Sequence, residues 1–336
     1  MVRIVRHLTI FLLLGISILG VIFGLRGGNL DIDPRWGLAA VTIPIALLVA
    51  YVLLVLFLGW LQQRLFRTHP KWAEHIAKIS GLITGGQSHR ATLIGLQVDN
   101  AAECDRIWKE AEPKLPNLSS SEAMTVGLNY SVSLSRRGQL TKARDIALQY
   151  PPREHFKAYQ HHYALYWLNL GWYHLELGEH EQAEYCLRRA LQETLTQVDI
   201  KTRQEGLQAL LAHEAGERDS ALKALRENKR RQPYHAWLLA EIGEMEEAAE
   251  RLPDLVSLAD ASDRTYYHLT QALIQKSPAE LEKASQNDFC SGKVAFYAVT
   301  LFGDESYLSK ARKQDPESVW TRRAETADMI QLESIR

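Results

Sequence analysis

Cysteine is scarce in this chain. Its three cysteines, Cys104, Cys186 and Cys290, lie more than eighty residues apart. With no C-x-x-C pair and no histidine at ligand spacing, they make neither a disulfide framework nor a zinc site. Three small buried hydrophobes are the plain reading. An excess of either charge is also missing: Lys+Arg is 39, Asp+Glu is 40 and the net charge is -1. That argues against a strongly basic nucleic-acid binder and against an acidic solvating tail. With 20 Gly and 11 Pro, the chain is neither collagen-like nor a low-complexity polymer. Runs of alternating strand character are absent.

Catalytic patterns are missing as well. Gly81-Leu82-Ile83-Thr84-Gly85-Gly86-Gln87-Ser88 departs from the phosphate-binding loop where Gln87 stands for lysine, and a helical segment precedes it instead of a strand. His213-Glu214 lacks the second histidine of a zincin. No G-x-S-x-G occurs, so no residue constellation supports an enzyme, a metal or a cofactor.

Long apolar runs are present. Leu8 to Leu25 and Trp36 to Leu61 each contain no charged residue, against the roughly 20 apolar residues that a membrane helix needs. Trp36 and Trp60 sit near the ends of the second run, where indole favours the headgroup level. The first run resembles a signal peptide in its Arg3, Arg6 and His7. It exceeds the usual apolar core of such a peptide and lacks an A-x-A-like site, which favours an uncleaved helix. Residues 26–35 read as a turn through Gly27, Gly28 and Pro34. Residues 1–62 are thus expected to form a transmembrane hairpin with helices at about 8–25 and 36–61. Arg3 and Arg6 before it, and Arg64, Arg67, Lys71 and Lys78 after it, place both termini in the cytoplasm. Gly20 and Gly24 suit close packing, within the hairpin or in a homodimer. Residues 63–84 carry Trp72, Ile76 and Ile79 at helical spacing. An amphipathic helix on the inner leaflet, or one docked on the first repeat, accounts for them equally.

From residue 85 to 316 a period emerges. The clearest unit starts at Ala164, with Trp167, Leu170, Gly171, Gly178, Ala183, Leu187 and Ala190. The same phase recurs as Ala209, Ala212, Gly216, Ala221, Leu225 and Pro233, and as Ser131, Gly138, Ala143 and Ala147. Outer copies carry Cys104, Trp108, Ala111 and Pro116, and Gly243, Ala248 and Leu252. Turns are expected at Asp99, Gly138, Gly178, Gly216 and Gly243, spaced 39, 40, 38 and 27 apart. Beyond 260, RTYYHLTQALIQK and KVAFYAVTLFGDESYLSKARK read as helices, and 317–336 reads as a C-terminal tail.

These residues resemble the tetratricopeptide repeat (TPR) superfamily, with His174 where tyrosine is usual and Leu195 where proline is usual. The resemblance implies an all-α chain, in which antiparallel helix pairs stack as an α-solenoid behind the hairpin. This layout, though no motif, is similar to HemY-type bacterial inner-membrane proteins. It further implies a concave groove lined by the first helix of each pair. The matching places include Leu128 and Arg136 in one repeat, Leu165, Leu168, Trp172 and Glu176 in the next, then Arg203, His213 and Glu214. Centred on Trp172 and rimmed by Arg136 and Arg203, such a groove suits a protein or peptide partner; the same aromatics also suit inter-repeat core. Leu168 and Trp172 stand where carboxylate-gripping relatives carry Lys and Asn, against that adaptor role. A membrane-anchored interaction scaffold is the expected function. An accessory subunit of a membrane enzyme or secretion assembly is the alternative, and a hydrolase or transferase whose site no motif marks is a third reading.

Overall fold

The computed structural model describes residues 34–84, 94–95, 100–152, 160–192, 198–227, 231–258, 261–287 and 289–335. The first apolar run with Gly20 and Gly24, and the turn expected at Asp99, lie outside the described residues. Among the described residues every element is a helix. The chain divides into two compact units, residues 1–89 and 90–336.

In the first unit, α1 spans Pro34–Thr68 and α2 spans Pro70–Thr84. The helix expected at 36–61 is therefore longer at both ends. Pro70 opens α2, where a missing N–H costs nothing. Along α1, Ile45, Leu56 and Trp60 are 55%, 63% and 53% exposed. The Arg64 guanidinium lies over the Trp60 ring at 5.5 Å. In α2 the buried residues are Ala73 and Ala77, one turn apart, while Trp72 and Ile79 are exposed. The protein itself thus covers the small residues of α2 and leaves Trp72 and Ile79 open. Among the described residues no helix is long and apolar enough to cross a membrane; the side chains at 34–41, 43–44, 48, 62–63 and 66–68 of α1 fall outside that description.

The second unit opens with α3 (Ala101–Ala111) and a 3-10 turn. Then come the helix pairs: α4 (Ser120–Arg136) with α5 (Leu140–Gln149), α6 (Gln160–Glu176) with α7 (His180–Leu191), and α8 (Val198–Glu214) with α9 (Arg218–Arg226). Next are α10 (Pro233–Ile242) with α11 (Met245–Arg251), α12 (Ala261–Gln275) with α13 (Pro278–Ser285), and α14 (Ser291–Phe302) with α15 (Leu308–Gln314). Helix α16 (Val319–Ile335) completes the unit. The second helix of each pair touches the first helix of the next, so the pairs stack in chain order.

The turns explain the regularity. Gly138, Gly178, Gly216 and Gly243 all have positive φ, as do Lys276 and Gly303 at the two later turns. At the first five of these the chain bends back through a six-to-one bond, for example Glu179 N–H to His174 O and Glu217 N–H to Ala212 O. This is the left-handed helix cap that glycine adopts without a Cβ penalty. The segment expected to be a tail is instead α16, because Trp320 and Ala324 find apolar partners and are buried.

Candidate functional site

The expected groove residues divide three ways. Leu128 and Leu168 are buried, so they belong to the core. Trp172 is half-buried, edge-on to Tyr234 at 5.0 Å. Leu165 and His213 are half-buried. The buried hydroxyl of Tyr173 pairs with Ser131 Oγ at 3.0 Å, and the charges of Arg203 and Arg136 favour its ionised form. Burial nevertheless wins there and pushes the Tyr173 pKa up to about 12. Arg203 also reaches Asn169 Oδ1 at 3.5 Å.

The C-terminal helices reach the ends of the same first helices through paired side chains. Lys293 of α14 is 1% exposed and donates to Glu176 of α6. Its ammonium sits 5.1 Å above the Trp320 ring and 5.7 Å above the Trp237 ring. Ser318 Oγ donates to the other Glu176 oxygen at 3.3 Å. Arg323 of α16 grips Glu214 of α8 with two donors, one at 2.8 Å. Tyr297 of α14 donates to Glu241 of α10 and accepts from Trp237 Nε1 at 2.9 Å. Arg322 donates to Leu177 O at 2.7 Å, and Thr141 N–H donates to Glu317 at 2.7 Å. The end of the chain thus meets the turns and helix ends of four successive pairs. One apolar core runs continuously from Ala164 to Trp320.

The electrostatics are those of a clamp. Burial alone lowers a lysine pKa, yet the Lys293 pKa is raised because Glu176 and its neighbours outweigh desolvation. Burial likewise opposes ionisation of Glu214, and Arg323 more than offsets it. Asp315, whose Oδ2 accepts from Gly292 N–H at 3.3 Å, is pushed up to about 6 by burial and then by Glu176. Cys290 is pushed up to about 12 by burial, so its thiol stays protonated and unreactive at neutral pH. Burial also keeps the Tyr234 and Tyr266 hydroxyls protonated. The nearby cleft lined by Ser285, Phe289, Val294 and Lys310 has no room for a water molecule. Among the described residues, no group of His, Cys, Asp and Glu is arranged to hold a metal ion. The chemistry available to this cluster is ion pairing and cation–π contact, which fix one element against another.

Sequence reasoning placed Glu176 and Glu214 on the concave side and missed Lys293 and Arg323. The available signal was Lys293 itself, a single charge in the otherwise apolar helix SGKVAFYAVTLF. A buried cation requires a partner. No family model, curated protein or solved structure matches the chain.

Proposed function

We propose that the chain is a membrane-anchored TPR-like scaffold. Its first unit holds it in a membrane of the bacterial inner-membrane type through an N-terminal hairpin, with both termini and the repeat unit on the cytoplasmic side. Its second unit binds a protein partner.

The observation that carries this reading is the apolar row on α1. Ile45, Leu47, Leu53, Leu56, Phe57 and Trp60 are all about half exposed or more. At roughly 25 cal/mol per Å² of apolar surface, leaving such a row in water is costly, and lipid removes the cost. The amino-acid sequence of the same helix has no charged residue from Trp36 to Leu61. Exposed Trp72 and Ile79 beside Lys78 suit a lipid surface for α2 in the same way. Stacked helix pairs supply the binding module, since such solenoids present long continuous faces to partners.

The test begins with topology. A reporter fused after Arg336 should be active inside the membrane and silent outside; the reverse would reject the orientation. Affinity capture from gently solubilised membranes should then recover a protein partner. The α1 row also suits a neighbouring membrane helix, as in an accessory subunit of a larger assembly. Replacing residues 1–62 with an unrelated hairpin separates the two: a scaffold keeps its partner and an accessory subunit loses it.

A further inference from the structure

The whole chain is balanced in charge, with Lys+Arg 39 and Asp+Glu 40, but the stretch around the end of α1 is not. From Trp36 to Val98 the cations are Arg64, Arg67, Lys71, Lys78 and Arg90, and the single acid is Glu74. At the other end of the apolar run, residues 26–35 set Arg26 and Arg35 against Asp31 and Asp33. The positive excess is therefore local to α2 and the part of α1 next to it. With His69 alone between them, the two helices pack on each other, so α2 stays beside that end of α1. Buried Ala73 and Ala77 fix which side of α2 faces protein. On its open side Trp72 and Ile79 are two helical turns apart and share a face. His75 stands between them, its ring 6.3 Å from that of Trp72, and exposed Lys78 follows it round the helix. On α1, exposed Arg64 covers the exposed ring of Trp60. Each helix thus shows one exposed indole and one exposed cation. Indole favours the headgroup level, and long cationic side chains reach from there to phosphate.

We propose that α2, with the adjoining end of α1, is a docking surface for acidic phospholipids. Trp72 and Ile79 enter the boundary between headgroups and acyl chains, and Arg64 and Lys78 hold phosphates of the same leaflet. The proposal deepens the membrane-anchor reading and rests on it, since α1 must bring α2 to the bilayer. Its partner is narrower: a leaflet rich in negative headgroups rather than lipid in general. Apolar insertion alone serves any bilayer. The cations distinguish one bilayer from another, by about fivefold in affinity for each and within a Debye length of about 8 Å.

The experiment uses the full chain in lipid nanodiscs, made of phosphatidylcholine alone or of phosphatidylcholine mixed with phosphatidylglycerol. An environment-sensitive dye is attached at Trp72→Cys or, as control, at Phe57→Cys. Both sites are exposed, so neither variant removes a packed side chain. Burial shields Cys104 and Cys186 and keeps the Cys290 thiol protonated, which directs the label to the new cysteine. The dye at 57 should be protected from acrylamide, a neutral quencher, in both discs. The dye at 72 should emit further to the blue in the acidic disc, with about twofold less quenching than in the neutral one. Raised salt should remove that difference, and so should Arg64→Gln combined with Lys78→Gln, with the dye at 57 unchanged. Equal quenching at 72 in the two discs, with 57 protected, overturns the proposal and leaves the anchor standing; a helix docked on protein would give this result. A difference that survives both salt and the double variant overturns the role of the cations. Full quenching at both positions overturns the anchor reading and the proposal together.

Discussion

At the scale of single residues, glycines with the same backbone conformation carry different loads. Gly138 and Gly216 have φ of +70° and +78°. A Cβ on Gly216 would meet nothing within 4 Å, whereas one on Gly138 would lie 1.8 Å from Gln314 O. Gly216→Ala should therefore cost only the left-handed penalty, about 1 kcal/mol. Gly138→Ala must also push the α15–α16 connection away and should cost at least about 3 kcal/mol. Urea melts of the two variants check this, and equal losses would show that the contact at Gln314 is dispensable. Titration gives a second residue-scale prediction. The Asp315 pKa is raised by burial and by Glu176 to about 6 from an ordinary 3.8, so its contribution to stability is full below 3.8 and is lost as pH rises through 6. Burial lowers the His235 pKa to about 4, so its contribution is full above 6.5 and is lost as pH falls through 4. The two nearly cancel across one window. Asp315→Asn leaves the histidine unopposed, so the loss of stability from pH 6.5 to pH 4 should steepen by on the order of 2 kcal/mol. Parallel pH profiles for variant and wild type would contradict the assignment.

At the scale of elements, helix starts and crossings obey local chemistry. Helix α4 begins with a full capping box: Ser119 Oγ accepts from Glu122 N–H at 3.4 Å and Glu122 returns to Ser119 N–H at 3.3 Å. Ser119→Ala should destabilise the second unit by about 1 kcal/mol, read from chemical denaturation, with Ser119→Asp restoring most of the loss. Helix α3 is held on α4 by Trp108 stacked on Tyr130 at 4.4 Å, and by Arg137 paired with Asp105 at 2.9 Å. Gly171 lets α6 approach its neighbours, since a Cβ there would sit 2.8 Å from Leu207 and 3.3 Å from Cys186. Of these, the approach at Gly171 is legible in the sequence, because one small side chain marks the crossing, whereas the Trp108–Tyr130 and Asp105–Arg137 contacts join residues that no local pattern links. The turn at Lys276 is not legible either, since a lysine at φ +48° leaves no mark that sets it apart from any helical lysine.

At the scale of the molecule, the second unit has its own closed core. Trp237, Leu238 and Leu239 are each 0% exposed at its centre, and the core extends to Trp320. A fragment of residues 90–336 should therefore fold in water without detergent and melt in one cooperative transition. Light scattering and circular dichroism on that fragment are the check; a broad or absent transition would mean that the first unit contributes to its core. In a stacked array, where the chain end arrives depends on the small rotation at each pair. Linkers, helix lengths and the identity of each contact all alter those rotations, so no short pattern encodes where the chain end will arrive.

Helical structure, the pairing of helices around left-handed turns and the long uncharged run of α1 were determined by the sequence alone. Each arises from local preferences: periodic apolar positions, glycine at a positive φ, and the absence of charge over the length of a helix. Which charges pair between the C-terminal helices and the earlier first helices was decided only by tertiary structure. Lys293 and Glu176 are separated by 117 positions, and Arg323 and Glu214 by 109. Residues that far apart carry no joint signature in one sequence. Only the folded stack brings them within hydrogen-bond distance, and there burial makes each charge depend on the other.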